Sequence, residues 1–353
     1  MDPLEKLILF RYTNMNKINQ LFDKEFVLDY FQKKLLPHYP DFYKIKNIKI
    51  IGHKKFIWEH TYHVVIEFRT TLISKEGKTI KLPIFCSAHS NEPRKNVYTS
   101  LKYLWDNGFH KGHLSIPHPL FYSKYFNGTF YRGVNGKHLY HFIREGNKKE
   151  IENLVPKAAH WFAKLHHGKK KDPQNFNPDN SRIKTVTPGA KHIIERIHYD
   201  YPEYLDFYKS AYKFFIKKEE EFLNSTEKKW LVHGDAHPEN IIKMGKVKIG
   251  LIDFTDLCLS DFARDLGSFT QQLEFMSNRK IKNEKYAKKI CDLFLISYFS
   301  KVPKLNITPE IKERIDLYYY WTATRTATHF LMKDGPEPER ATPLINRIKN
   351  FIK

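Results

Sequence analysis

The stretch that most constrains this chain is Trp230–Asp265, WLVHGDAHPENIIKMGKVKIGLIDFTDLCLSDFARD. An apolar run, Trp230 to Val232, breaks at His233-Gly234-Asp235, and Asn240 follows five residues after Asp235. The pair Ile241-Ile242, a turn at Met244-Gly245 and the alternating Val247, Ile249 and Leu251 read as two short strands, the second delivering Asp253. Two carboxylates and one amide thus sit on loops at strand ends. Oxygens placed in this way suit a Mg²⁺ ion and the polarisation of a hydroxyl, which is the equipment of phosphoryl transfer.

The rest of the chain must frame that stretch. Its 353 residues exceed what one compact core usually holds, so two lobes are expected. No apolar run reaches the roughly 18 residues of a membrane-spanning helix, and MDPLEKLILFRYTN is unlike a secretory signal. Cys86, Cys258 and Cys291 are odd in number and widely spaced, giving neither a disulfide framework nor a zinc spacing. A reducing, cytoplasmic setting is the expectation. The net charge of +21 comes mainly from lysines spread along the chain. It is read either as attraction to anions such as nucleotides and phosphorylated substrates, or as lysine decorating solvated faces. It disfavours a polycationic substrate.

Apolar positions from Leu4 to Leu36 recur at helical spacing over residues 3–37, and Pro37 and Pro40 end the segment. From Lys46 the period changes: Ile48 and Ile50 alternate with polar residues, Tyr62 to Phe68 is a long strand, and Ile80 to Ser87 returns after a turn at Gly77. A helix over Asn96–Trp105, paired strands at 120–122 and 129–131, and a turn-to-helix hinge at NGKHLYHFI follow. Ala158–His166 is a buried helical segment, 169–190 is a loop, and further helices are expected near 200–224, 259–277, 283–300 and 308–333. The order implies a helical extension (1–45), a small antiparallel-sheet lobe (46–134) and a mostly helical lobe carrying the catalytic loop (135–353), an α+β architecture.

HGDAHPEN and Ile252-Asp253-Phe254 resemble the H-G-D-x-x-x-x-N and I-D-[FW] motifs of the aminoglycoside phosphotransferase and choline kinase-like enzymes. These are bilobal relatives of the protein kinases, whose loop reads H-R-D-x-x-x-x-N before D-F-G. AAHWFAKLHH, SDFARDLGSF and the N-G-K-H-L hinge resemble further segments of that family, so the likeness spans about residues 46–330, with its specific part at Trp230–Phe269. The resemblance implies a protein kinase-like fold and ATP-dependent phosphoryl transfer to a small-molecule hydroxyl, such as that of an antibiotic, amino alcohol, sugar or nucleoside. It assigns Asp235 as catalytic base, Asn240 and Asp253 as Mg²⁺ and ATP-phosphate ligands, and His233 and Asp265 as supports of the loop. His237 reads as a solvent-edge or loop-packing residue, and Asp256 as a substrate contact.

The sequence departs from the family at one point. The third strand of the small sheet, PIFCSAHS, has Ser87 or Ala88 where the family carries a lysine for the ATP phosphates, and Val97 or Tyr98 stands where its glutamate partner belongs. Lys54, Lys55 and Arg94 are the candidate replacement cations, with His89 and Lys81 behind them. The missing lysine keeps two alternatives open: a nucleotide-binding pseudokinase, and a nucleotidyl transferase that moves AMP. The histidines at 110, 113, 118, 166 and 167 lack a metal-like spacing and read as packed or solvated imidazoles. No membrane span and no nucleic-acid module accompany the charge. The expected partner is a small hydroxyl compound, with anionic acceptors included.

Overall fold

Val64, Ile66 and Phe68 alternate along one strand and are fully buried, so one face of the first sheet is a core face. The computed structural model describes residues 16–92 and 94–353, which divide into two compact units between Asn135 and Gly136. The first unit holds α1 (Lys24–Lys34), β1 (Phe42–Ile57), β2 (Tyr62–Ser74), β3 (Thr79–His89), α2 (Lys95–Asp106), the two-residue β4 (Leu114–Ser115), β5 (His118–Ser123) and β6 (Gly128–Arg132). Its antiparallel sheet runs β1-β2-β3-β6-β5. Gly77 makes the β2–β3 turn at φ +77°, a backbone region that glycine enters at no steric cost.

The first part of the helical arm expected over residues 3–37 lies outside the described residues. Its remainder packs on the sheet. Asp23 caps α1 by accepting the Phe26 N–H at 2.9 Å, and Val27 and Phe31 face the core. The Phe31 ring meets Phe68 edge-on with centroids 4.9 Å apart.

The second unit is mainly helical: β7 (Lys137–His138), α3 (Leu139–Arg144), α4 (Lys148–His167), α5 (Ala190–Asp200), α6 (Leu205–Ser225), β8 (Trp230–Val232), β9 (Ile241–Lys243), β10 (Ile249–Leu251), β11 (Cys258–Ser260), α7 (Ala263–Ile281), α8 (Glu284–Ser300), α9 (Pro309–Met332) and α10 (Pro338–Phe351). Phe162 of α4, Phe269 of α7 and Phe294 of α8 stack into its core, with centroid distances of 5.5 and 4.4 Å. Each such ring contributes roughly 1.5–3 kcal/mol by burial. The α7 and α9 backbones touch at Gly267, where an added Cβ would lie 2.6 Å from the Tyr319 nitrogen. Among the described residues no helix is long and apolar enough to cross a membrane.

Candidate active site

The loop carrying Asp235 is fixed from beneath by a buried carboxylate. β8 pairs with β11 and ends at His233, where the chain turns through Gly234 at φ +84°. A side chain at Gly234 would collide with the Asp256 carbonyl, so glycine is required there. Asp265, on the first turn of α7 and fully buried, accepts the backbone N–H of His233 at 2.7 Å and of Gly234 at 3.0 Å. The same carboxylate accepts His166 Nε2–H at 2.9 Å. His166 Nδ1 then accepts the Tyr298 hydroxyl at 2.7 Å, and His167 Nε2–H donates to that hydroxyl oxygen at 2.9 Å. A chain of hydrogen bonds thus runs from α8 through α4 to the loop. Burial works against the Asp265 charge, yet the His166 hydrogen bond and the His233 contacts hold its carboxyl below the usual range. His233 donates Nε2–H to the Ile252 carbonyl at 2.9 Å, which ties the loop to the segment after β10 that carries Asp253.

Half-buried histidines, His167 of this brace and His63 and His118 of the first unit, set a pH dependence of stability. Burial, followed by His166, lowers His167 to about 3, and burial likewise lowers His118 and His63 to about 4. An unfolded chain protonates these rings near pH 6.5 whereas the folded one does not. Their contribution is therefore complete above that pH and is lost as pH falls toward 4. Thermal melts are expected to show a clear drop in Tm between pH 7 and pH 5, and His167→Asn should flatten that slope.

Above the brace lie the side chains that the motif singles out. Asp235 is half exposed, and His237 Nε2 stands 3.5 Å from its Oδ2. Burial opposes its ionisation, but His237, His233 and Arg325 outweigh this and hold the carboxyl well below the usual carboxylate range. His237 is raised in turn, by Asp235 and then Glu239 and Asp253, against the effect of burial. Its Nδ1 accepts the Glu239 N–H at 3.3 Å and caps the short turn at Pro238–Asn240. His237 is thus the partner of Asp235 as well as a loop-packing residue. Asn240 donates Nδ2–H to the Asp235 carbonyl at 3.0 Å, which leaves its Oδ1 as an acceptor. Asp253 sits in the left-handed region at φ 63°, and its Oδ1 accepts the Thr255 hydroxyl at 2.8 Å. A non-glycine residue there costs on the order of 1–2 kcal/mol, and such outliers gather at functional sites.

Burial, then Asp235 and Asp253, push the Asp256 carboxyl up. Asn240 and the Asp253 carboxylate are the oxygen donors here that would hold a Mg²⁺ ion, with phosphates and water completing its shell. Arg264, buried on α7, completes the floor: it donates to the Gly234 carbonyl at 3.4 Å and to the Asn180 carbonyl. Sequence reasoning passed over Arg264 and read His166 only as a packed or solvated imidazole, although both lie in the quoted SDFARD and AKLHH segments.

A cavity of about 570 Å³ opens beside Asp235. Its walls come from α7, α9 and the start of α10, including Gln272, Trp321, Arg325 and Arg340.

In the first unit, Lys54, Val65, Ser87 and Thr129 are successive cross-strand partners and so share one face of the sheet. Lys55 lies on the other face, its Nζ 4.6 Å from the Phe22 ring centroid. Lys54 Nζ and an Arg94 nitrogen approach His63 Nε2 at 3.4 and 3.5 Å, and the tilted His89 ring has its centroid 4.7 Å from that of His63. Arg94 is nine-tenths buried and its Nε–H has no partner among the described residues, while Glu92 is 3.5 Å from another of its nitrogens. Val97 and Tyr98 open α2 with no carboxylate.

The family model of the phosphotransferase enzyme family (APH) matches residues 67–284. No curated protein matches the chain significantly in sequence. Among solved structures, a choline kinase from Cryptosporidium parvum Iowa II superposes with a TM-score of 0.58 at 12% identity, over 92% of this chain and 94% of that one. A choline kinase from Streptococcus pneumoniae gives 0.55 at 14%, over 92% and 98%. An ethanolamine kinase from Plasmodium vivax gives 0.53 at 12%, over 93% and 89%. These likenesses establish a protein kinase-like fold, with its antiparallel-sheet N-terminal part and helical C-terminal part. With the match over residues 67–284, the chain belongs to the phosphotransferase enzyme family and is a kinase whose acceptor is a hydroxyl group.

Proposed function

We propose that the protein transfers the γ-phosphoryl group of ATP to a hydroxyl of a small molecule held beside Asp235. The observation that carries this reading is Asp235 itself, a carboxylate kept ionised at the cavity wall, on the loop that also presents Asn240. In the transfer, the acceptor O–H proton passes to an Asp235 oxygen as the new P–O bond forms and ADP leaves. A carboxylate this acidic is a weak base. Its main work is to orient the hydroxyl, taking the proton late, when the oxygen has already given up charge to phosphorus. We assign Asn240 Oδ1 and the Asp253 carboxylate to Mg²⁺, which when bound neutralises charge on the ATP phosphates. Asp265, His166 and His233 hold the loop so that little reorganisation remains at the moment of reaction.

Lys54 and Arg94 are the cations we assign to the nucleotide phosphates in place of a lysine at Ser87. Lys54→Ala or Arg94→Ala is expected to raise KM for ATP about tenfold, the worth of one charge-assisted hydrogen bond, and Lys55→Ala to leave it unchanged. Steady-state kinetics at varied ATP concentration checks this.

Incubating the protein with Mg²⁺-ATP and a panel of hydroxyl compounds, while following phosphorus-containing products by mass spectrometry, tests the reading as a whole. A phosphorylated acceptor with ADP supports it. An AMP-tagged acceptor indicates nucleotidyl transfer instead, and nucleotide binding without turnover indicates a pseudokinase.

A further inference from the structure

We infer that the acceptor is an anionic hydroxyl compound, one that carries a phosphate or carboxylate group, and that Arg279, Lys333 and Arg340 receive that group at the end of the cavity away from Asp235. This deepens the phosphotransferase reading and rests on it. The cavity wall contains Arg264, Arg279, Arg325, Lys333 and Arg340, against Asp235, Glu239 and Glu337. Trp321, Arg325, His329 and Lys333 follow one another at four-residue steps, so a single face of α9 and its C-cap lines the cavity. With a rise of 1.5 Å per residue, Arg325 and Lys333 lie about 12 Å apart along that axis. Arg325 acts at the near end, where its charge helps keep Asp235 ionised.

At the far end three cations surround one carboxylate. Lys333 Nζ and an Arg340 nitrogen lie 2.6 and 2.7 Å from the same Glu337 oxygen, and Arg279 adds its field to that carboxylate. Arg279 is exposed at the cavity wall. Glu337 balances only one of the three, and the surplus attracts an anion.

A cationic acceptor meets the opposite situation. Aromatic faces of the kind that hold a quaternary ammonium are in the cavity, but Phe330 already carries Lys333 and Arg340 at 5.8 and 5.6 Å from its centroid. The volume of about 570 Å³ admits a molecule of sugar-phosphate size, with its hydroxyl at Asp235 and its anionic group among the three cations.

The test uses the full chain with its nucleotide site saturated by Mg²⁺ and a non-hydrolysable ATP analogue. Calorimetry measures binding of glucose 6-phosphate, gluconate, glucose, choline and gentamicin. Glucose 6-phosphate or gluconate should bind at least about tenfold more tightly than glucose, with the preference shrinking as salt rises. The stronger of the two identifies phosphate or carboxylate as the group recognised. Arg279→Gln, and Arg279→Gln with Lys333→Gln, should lower the affinity for that anion about tenfold or more. Equal binding of charged and neutral members, absence of binding by all, or preference for choline or gentamicin overturns the inference. A parallel assay with Mg²⁺-ATP separates the two claims. Anion-selective binding with no phosphorylated product would sink the phosphotransfer reading and leave the anion site standing, whereas phosphorylated choline or gentamicin at equal or better kcat/KM would do the reverse.

Discussion

Asp235→Asn is expected to lower kcat for phosphoryl transfer by about a thousandfold, within the range attributed to a positioned general base. The substitution keeps the shape of the side chain and removes both its charge and its ability to accept a proton. Little else should change. The carboxylate is half exposed and its side-chain partner is His237 at 3.5 Å, so the loss to folding is that of a weak, solvent-screened ion pair. Asn240 bonds to the backbone carbonyl of residue 235, which asparagine retains. KM for ATP should therefore stay near that of the unaltered protein, and Tm should fall by no more than about a few degrees. Release of ADP in a coupled assay, run beside thermal melts, gives both quantities. A variant that kept more than about a tenth of the rate would show that another group orients the hydroxyl, and His237, directly beside Asp235, is where the search would turn.

What the sequence disclosed and what it concealed have physical reasons. Strong periodicity revealed β2, β3 and α2, since Val64, Ile66 and Phe68 alternate and Val97, Leu101 and Leu104 repeat at helical spacing. Prolines concealed other elements. Pro156 lies inside α4, so the segment reads as starting at Ala158 although the helix begins at Lys148. Pro336, Pro338 and Pro343 hid α10, whose Ala341, Leu344, Ile345 and Ile348 nonetheless form a buried stripe. The loop around Asp235 could be located because its motif residues stand at fixed spacing within one stretch. The acceptor wall could not, because Arg279, Lys333 and Arg340 come from three separate parts of the chain and each alone is an ordinary surface cation. The same holds for Lys54, which stands two strands across from Ser87, a relation set by sheet register and by the shift between Gly52 and Lys54. Lys55 differs from it by one residue and so falls on the opposite face.

The largest effect on the fold should come from Asp265→Ala, with a loss of about 3–5 kcal/mol, the usual result of removing one partner from a buried charged network. Three donors then lose their acceptor: the buried His233 N–H and His166 Nε2–H, and the half-buried Gly234 N–H. Asp265→Asn is the informative comparison. The asparagine does best with its oxygen at the Oδ2 position, where it keeps His166 and His233, and its NH₂ then faces the Gly234 N–H. Turning the amide over instead sets that NH₂ against both His166 and His233 donors. A tautomer change at His166 would relieve one conflict only by making Nδ1 a donor toward Tyr298, whose oxygen already accepts His167. Asparagine should thus cost about 1–3 kcal/mol, the penalty of one unsatisfied buried group. It should still depress kcat strongly, because the conflict lands on Gly234, the residue that must hold φ +84° beside Asp235. Denaturant melts rank the stabilities and turnover ranks the activities. If Asp265→Asn lost stability without losing rate, Asp265 would be a packing residue of α7 and not the support that sets the geometry of the loop.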